Sequence, residues 1–527
     1  MFTDEEHQRY HWIRKHSGRM NLVRAHNRKM KGVRAQRYVG LNDDDNNEKK
    51  GKDHCFKCKV NNNSNRSRFS TLVLDSTSDR WMEQWNRSFR MLEIDQLRSP
   101  MFFHVDPSDR DGLLAYTREN GREGELCELS GCVGQELSKH KRKKMRSKTR
   151  STPREVEIDE RDRKDYFTPS TQLFLDYCSS IVTRYGLDRP GQILQSEVQD
   201  IQFGEIPGLS TDGKKLFTLS TSKGTFYSRA VVLAVGPGHA KMLPWELSPE
   251  EQMGACHALD IGTFPSPHVW KKIKQGLETN VVVVGGGLSS AQVVDMAVRK
   301  GVTKVWHLVR GDLKVKHFDV SLNWVGKFRN YEKAVFWSAD DDAERFQMLQ
   351  TARNGGSITP RFQKILKQHI ARQRLSIHTR TVITDKHFDP VSKTWRLTTN
   401  PPIADLPPRI DYIYFATGMK ADVRELPLLR SMNRDYPIEV LHGLPCLTDD
   451  LMWKPDVPLF VTGRLAALRL GPAGPNLEGA RLGAERVAWG LDAMFADGRK
   501  DDGNQPEEQL QNAFCGLGNR YAGLTEV

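Results

Sequence analysis

Val281, Val282, Val283 and Val284 lead without a break into Gly285, Gly286, Gly287, Leu288, Ser289 and Ser290, and then into the helix-compatible stretch AQVVDMAVRK. This is G-x-G-x-x-S set between a strand and a helix. In that setting the first glycine makes the tight turn and the second lets the backbone approach a diphosphate. The helix N-terminus adds unpaired amides and partial positive charge. Gly301 then closes the helix, and KVWHLV supplies the next strand, which ends at Arg310. An acid at that strand end favours the bare ribose hydroxyl of NAD, whereas a cation pairs with the extra phosphate of NADP. Arg310 therefore points to NADPH, with Lys314 and Lys316 as helpers and Asp312 near enough to compete. The alternative use of Arg310 is as a solvated surface cation.

Two further apolar runs end in glycine, VVLAVGPG at 231–238 and YIYFATG at 412–418. Backbone at such strand ends can approach a ligand without a side-chain clash. No acid–base pair, nucleophile or metal-ligand set stands out. Cys55 and Cys58 form one CxxC beside His54, too few ligands for a tetrahedral zinc site and without the βαβ setting of a redox pair. Cys178 lies on an apolar helical stripe and is expected to pack as a small hydrophobe. His104, His239 and His317 fit structural and catalytic roles equally.

The elements that must position these residues are unevenly spread. The chain has 527 residues, enough for two or three domains, yet it is only 38% hydrophobic and has a mean hydropathy of −0.59. Long polar insertions between concentrated cores account for that. One is expected from 17 to 68, rich in Asn, Asp, Lys and Arg; another from about 138 to 165. The net charge of +13 includes the run KHKRKKMRSKTR at 139–150, which has no interleaved aromatic residues. Such a run reads as a solvated loop, or as a nuclear signal or anion patch, and not as a nucleic-acid domain. Eight cysteines over this length fit a reducing compartment. With no long apolar span and no apolar signal core, the chain is expected to be intracellular and away from membranes.

Ordered structure is expected to begin at Phe69 with a short buried strand, FSTLVLD. A helix over RWMEQWNRSFRML then aligns Trp81, Trp85, Phe89 and Leu92. TQLFLDYCSSIVTRYGL predicts a helix with Leu173, Phe174, Cys178, Ile181 and Val182 on one stripe. FTLST and TFYS predict a hairpin about Lys223 and Gly224. Strand, glycine turn, helix and strand alternate from 280 to about 397, the pattern of a parallel sheet. The last helix, NLEGARLGAERVAWGLDAMF, predicts a stripe of Leu477, Ala480, Ala484, Val487, Ala488 and Leu491.

At GGGLSSAQ, at the ATG of Ala416 to Gly418 and at VTGRLAALRLGPAGPNLEGAR, the chain resembles the two-dinucleotide flavoprotein monooxygenases, most of all the fungal L-ornithine N-monooxygenase-like group. The resemblance spans roughly 69–491 outside the polar insertions. It implies an α/β fold with two Rossmann-like domains, the NADP domain inserted into an FAD-type domain. The chain then divides into an N-terminal remnant with its polar insertion (1–68), the first part of the FAD-type domain (69–279), the NADP domain (280–410), the last part of the FAD-type domain (411–495) and a polar tail (496–527).

The resemblance also implies cofactors and site residues. NADP is assigned to Gly285, Gly287, Leu288, Ser289, Ser290, Arg310 and Lys314, with Thr417 and Gly418 of the linker. LRSPMFFHVDP looks like the flavin-side loop, bringing Arg98 and Ser99, and Gly463 looks like the strand-end glycine that lines FAD. Asn476 to Arg481 looks like the helix start facing the flavin. With these, Gly236, Gly471, Pro472, Asn476 and Leu477 complete the FAD set, together with Asp75, which serves a turn or helix cap equally well. The implied activity is FAD- and NADPH-dependent hydroxylation of a primary amine such as L-ornithine, as in siderophore biosynthesis, with oxygen as co-substrate and a homo-oligomer as the assembly. A Baeyer-Villiger oxygenase, a flavin reductase and a non-catalytic NADP-binding regulatory protein are the alternatives. Two departures stand out. No strand with G-x-G-x-x-G precedes Phe69, so MFTDEEHQRYHW looks like the region just after an FAD fingerprint, and the coding sequence is expected to extend upstream. Arg464 stands where many FAD proteins carry an acid.

Overall fold

The computed structural model describes residues 70–106, 110–129, 132, 166–210, 213–236, 240–326 and 329–495. The Cys55/Cys58 pair, the basic run at 139–150, Gly238, His239 and the tail beyond 495 lie outside the described residues. The chain divides into two units, Val73–Leu491 and a second formed by the two ends, Met1–Leu72 with Asp492–Val527. Almost everything described belongs to the first.

The valine run forms the middle of a five-stranded sheet. Asn280–Val284 pairs in parallel with Lys304–Val309 on one side and with Tyr412–Phe415 on the other; Leu375–Thr379 and Ala255–His257 close the two edges, also in parallel. A strand buried on both faces has no polar side to alternate with, which is why VVVV and YIYF read as unbroken apolar runs. One face carries Val281 and Val283 and packs on the helices Leu288–Arg299 and Pro360–Ala371 through Ala291, Val294 and Leu366. The other carries Val282, Ile413 and Phe415 and packs on Trp306 and Trp395, the latter from the antiparallel pair Val382–Asp389 and Thr394–Asn400. The sheet runs past both limits expected at 280 and 410, because crossover connections let Ala255–His257 and Tyr412–Phe415 join strands distant in sequence.

The rest of the unit is built from smaller sheets around the largest apolar cluster. Val231–Leu233 runs parallel to Val457–Val461, which also pairs with Met452–Lys454; Val73–Asp75 runs parallel to Ile193–Gln195. Val198–Gly204, Leu216–Thr221 and Gly224–Ser228 form an antiparallel meander. The expected hairpin is present, but Thr221 pairs with Gly224, so the turn is Ser222 and Lys223, one position earlier than expected. The strand expected from Phe69 shortens to Val73–Asp75, and the following helix to Glu83–Met91, leaving Trp81 outside it and 38% exposed. Trp85 and Phe89 do stack, 3.6 Å between centroids. The helix Thr171–Arg184 is capped by Ser170 and buries Leu173, Phe174, Tyr177, Cys178 and Ile181. Burial pushes the Cys178 thiol up to about 12, so it stays protonated and packs as a hydrophobe.

The last helix, Leu477–Phe495, keeps Leu477, Val487 and Leu491 of the expected stripe against the core but turns its three alanines outward and buries glycines instead. Gly479, Gly483, Val487 and Gly490 are buried, while Ala480, Ala484 and Ala488 are exposed. An added Cβ would lie 2.3 Å from the Ala473 carbonyl oxygen at Gly479, 2.2 Å from Thr462 Oγ1 at Gly483 and 2.7 Å from Phe460 Cε1 at Gly490. The helix backbone is packed directly on its neighbours, and hydrophobicity alone misses a stripe whose value is the absence of side chains.

Candidate dinucleotide site

Gly285 leaves the central strand with φ +146, and its amide still bonds the Leu308 carbonyl at 2.9 Å. A Cβ here would lie 2.3 Å from the Ala416 carbonyl oxygen, so the ATG linker is packed on the glycine bend. At Gly286 a Cβ would meet Val309 Cγ1 at 2.9 Å. Gly287 is the N-cap of Leu288–Arg299 and no side chain caps that helix. The amides of Leu288, Ser289 and Ser290 in its first turn are thus left for a ligand. Thr417 and Gly418 follow directly: Thr417 Oγ1 bonds the Met242 carbonyl, and Gly418, at φ +87, accepts from Met242 N at 3.0 Å and from His257 Nε2 at 3.1 Å.

A residue absent from the expected set holds this bend together. His307, fully buried on Lys304–Val309 and paired with Val283, places Nε2 2.7 Å from the Gly285 carbonyl and 3.1 Å from Ser290 Oγ. Ser290 in turn donates to the Gly287 carbonyl at 2.7 Å. Burial holds the His307 imidazole down to about 4, so it is neutral at physiological pH and carries its proton on Nε2. The signal in the sequence was a lone polar residue inside the buried run VWHLV.

At the next strand end Arg310 is exposed and makes no side-chain hydrogen bond or ion pair among the described residues. Asp312, the expected competitor, is claimed by Arg380 in a two-pronged pair at 2.8 and 3.1 Å, which holds its carboxyl below the usual range. Arg380 is a second residue that was not anticipated. Lys314 is engaged, its Nζ at 2.7 Å from both the backbone oxygen and Oδ1 of Asn354. Lys316 turns inward to the carbonyls of Arg353 and Asp319. The loop after Asn354 reaches the bend itself: a Cβ on Gly356 would lie 3.1 Å from Gly287 Cα and 3.2 Å from Gly287 N. These residues fit a dinucleotide phosphate, since Gly285 and Gly286 leave no room for side chains and no side chain caps the first-turn amides.

The residues assigned to FAD are placed differently. Asp75 accepts from Thr77 N, Thr77 Oγ1 and Ser78 N at 2.7, 2.6 and 3.2 Å, which is the turn role. Arg98 donates to the carbonyls of His317, Lys316 and Ser357 and to Ser357 Oγ, at 2.9 to 3.4 Å, and burial pushes its guanidinium down to about 10. Ser99 is half-buried beside it. The Pro472 carbonyl accepts from Arg353 at 3.0 Å. Asn476 Oδ1 caps the last helix, accepting from the amides of Glu478 and Gly479 at 3.1 and 3.2 Å ahead of Leu477. Gly236, Gly463 and Gly471 have positive φ, 65, 70 and 81, and keep their strand and helix ends bare. Burial, with Arg353 beside it, lowers the Arg464 guanidinium. Asp75, Arg98 and Asn476 are thus engaged with protein groups. His104 bonds the Arg110 carbonyl and the Asp106 amide, and His317 is held below its ordinary range by burial. Among the described residues no three His, Cys, Asp or Glu side chains converge as a metal site, and no helix is long and apolar enough to cross a membrane.

This arrangement is an α/β fold that the chain shares with solved ornithine hydroxylases. No family model matches the chain, and no curated protein does. Among solved structures it is similar to the ornithine N-hydroxylase of Kutzneria sp. 744, at 14% identity and TM-score 0.56 over 81% of this chain and 94% of that one. The cadaverine monooxygenase of desferrioxamine biosynthesis from Erwinia amylovora matches at 14% and 0.53, over 81% and 88%. The L-lysine 6-monooxygenase of Pseudomonas syringae matches at 17% and 0.50, over 81% and 92%. At such identities the likeness establishes the fold.

Proposed function

We propose that this chain is a flavin- and NADPH-dependent monooxygenase that hydroxylates a primary amine, L-ornithine or a near analogue. The observation that carries the reading is the uncapped glycine bend with the unpaired Arg310 one strand over. The amides of Leu288 to Ser290 would bind the diphosphate, Arg310 the adenosine phosphate, and His307 would keep the Gly285 carbonyl turned away from the anion. Gly285 and Ala416, in contact, would exclude water from the inner side of the cradle. The flavin, when bound, supplies the hydride acceptor and the oxygen chemistry. The similar solved structures support this: they are an ornithine N-hydroxylase, with reduced FAD, NADP+ and L-ornithine, an L-lysine 6-monooxygenase and a cadaverine monooxygenase.

Purified protein supplied with FAD, NADPH, oxygen and L-ornithine should form hydroxyornithine as NADPH is consumed. NADPH consumption without that product would exclude the hydroxylase. A second reading is favoured by Asp75, Arg98 and Asn476 being engaged with protein: a non-catalytic NADP-binding protein. It requires a colourless preparation that binds NADPH and takes up no added FAD.

A further inference from the structure

The helix Asp342–Arg353 runs out into Asn354, Gly355, Gly356 and Ser357, and this turn comes back onto the glycine bend. Asn354 and Gly355 are both left-handed, at φ +45 and +74. One left-handed residue is enough to end a helix. The second glycine answers a different demand, because a Cβ on Gly356 would lie 3.1 Å from Gly287 Cα and 3.4 Å from the Gly286 carbonyl carbon. Cations grip the turn from behind through its carbonyl oxygens: Lys316 bonds that of Arg353, Lys314 that of Asn354 and Arg98 that of Ser357. With Arg353 they form a group of four cations around one carboxylate, Asp319, which is paired with Arg353 at 3.0 Å. The amides of the turn are unused. Those of Gly355, Gly356 and Ser357 have no acceptor among the described residues, and Gly355 and Gly356 are exposed. In a trans peptide the N–H points opposite to the C=O, so Lys314 on the Asn354 oxygen polarises the Gly355 N–H and leaves it aimed away from the lysine.

We propose that the turn at 354–357 is a second wall of the dinucleotide cradle: the amides of Gly355 and Gly356 donate to the diphosphate from the side opposite Leu288 to Ser290, and Lys314 is the residue that positions them. A diphosphate offers acceptor oxygens on two phosphorus centres, whereas the donors of a single helix turn face one side of it. The cations behind the turn add field without occupying the site, since each is already bonded to a carbonyl oxygen and could reach the anion only by releasing the turn. Lys314 therefore acts through the backbone and not on the adenosine phosphate, the role its place in the sequence suggested. Such a wall serves NADPH and NADH alike, because both carry the diphosphate, and the extra phosphate is left to Arg310. The inference rests on the reading that this chain binds a nicotinamide dinucleotide and adds the residues that close on it from the far side.

Hydrogen–deuterium exchange of the full chain, with and without saturating NADPH, reads the two walls separately. Exchange across 354–357 should slow about tenfold or more, together with exchange across 288–290. Protection at 288–290 with none at 354–357 overturns the second wall and leaves NADPH binding standing; protection at neither, with no NADPH affinity, removes both. K314Q tests the positioning. It should bind NADPH and NADH each about three- to tenfold more weakly, with the ratio of the two Kd values unchanged. Loss of affinity for NADPH alone would put Lys314 on the adenosine phosphate, and unchanged affinity for both would leave the turn in no need of it; either result overturns the positioning role. Thermal melts establish that K314Q is folded, and the exchange comparison on the unaltered chain stands if it is not.

Discussion

His307 does for the glycine bend what a cap does for a helix, supplying from the side the one donor that the Gly285 carbonyl lacks. Leaving that carbonyl unpaired in a buried site costs about 1–3 kcal/mol. H307A should therefore weaken NADPH binding roughly tenfold, and H307Q, whose amide can reach the same oxygen, should recover most of it; equal losses in a fluorescence titration would remove the positioning role. The same burial sets a pH dependence. The folded value near 4 lies below the ordinary 6.5, so the unfolded chain binds the proton first. The His307 contribution is complete above pH 6.5 and is lost as the pH falls from there towards 4, on the order of 3 kcal/mol. Urea midpoints measured across that window should slope less in H307Q. Arg310 acts at the neighbouring strand end. R310Q should erase most of any preference for NADPH over NADH, because Lys314 and Lys316 are already bonded to carbonyls and Asp312 to Arg380. A Kd ratio unchanged by R310Q would move the phosphate elsewhere.

Among the elements, the last helix shows how far packing outranks propensity. Alanine is a better helix former than glycine by about 1 kcal/mol, so G483A on an open face would stabilise. Here the added methyl would lie 2.2 Å from Thr462 Oγ1, and overpacking of that kind costs about 1–3 kcal/mol. G483A should lower the melting temperature, while A484S, on the exposed face, should leave it within about a degree or two. Calorimetric melting of the pair checks the inward face directly. The valine strand is the opposite case: its buried run and glycine bend were readable from local order alone, because both sheet faces demanded apolar residues and the turn demanded φ +146. The turn of the meander slipped by one residue because Ser222, Lys223 and Gly224 are all acceptable turn residues, and the register was decided by cross-strand pairing.

For the whole unit Val73–Leu491, a dinucleotide that binds only the folded form must stabilise it by mass action, about 2.7 kcal/mol at a hundredfold excess over Kd. NADPH should therefore raise the melting temperature, and NADH at the same concentration should raise it less; no shift with either would dismiss the cradle. Arg98 belongs to this scale, since its guanidinium ties the segment after Leu97 to Lys316, His317 and Ser357, which are more than 200 residues away. From residue order alone came the glycine bend, the strand that feeds it, the cationic strand end and the α/β class, because each depends on neighbours within one turn or one strand. Only the tertiary structure decided that Ala255–His257 and Tyr412–Phe415 share that strand's sheet, that His307 bonds the Gly285 carbonyl and that Arg380 pairs with Asp312. It alone also decided that Arg98, Asp75 and Asn476 are committed to the protein, and that the turn at 354–357 meets the glycine bend. Such pairings are set by which surfaces bury one another, and hydrogen-bond partners far apart in the chain leave no periodic trace along it.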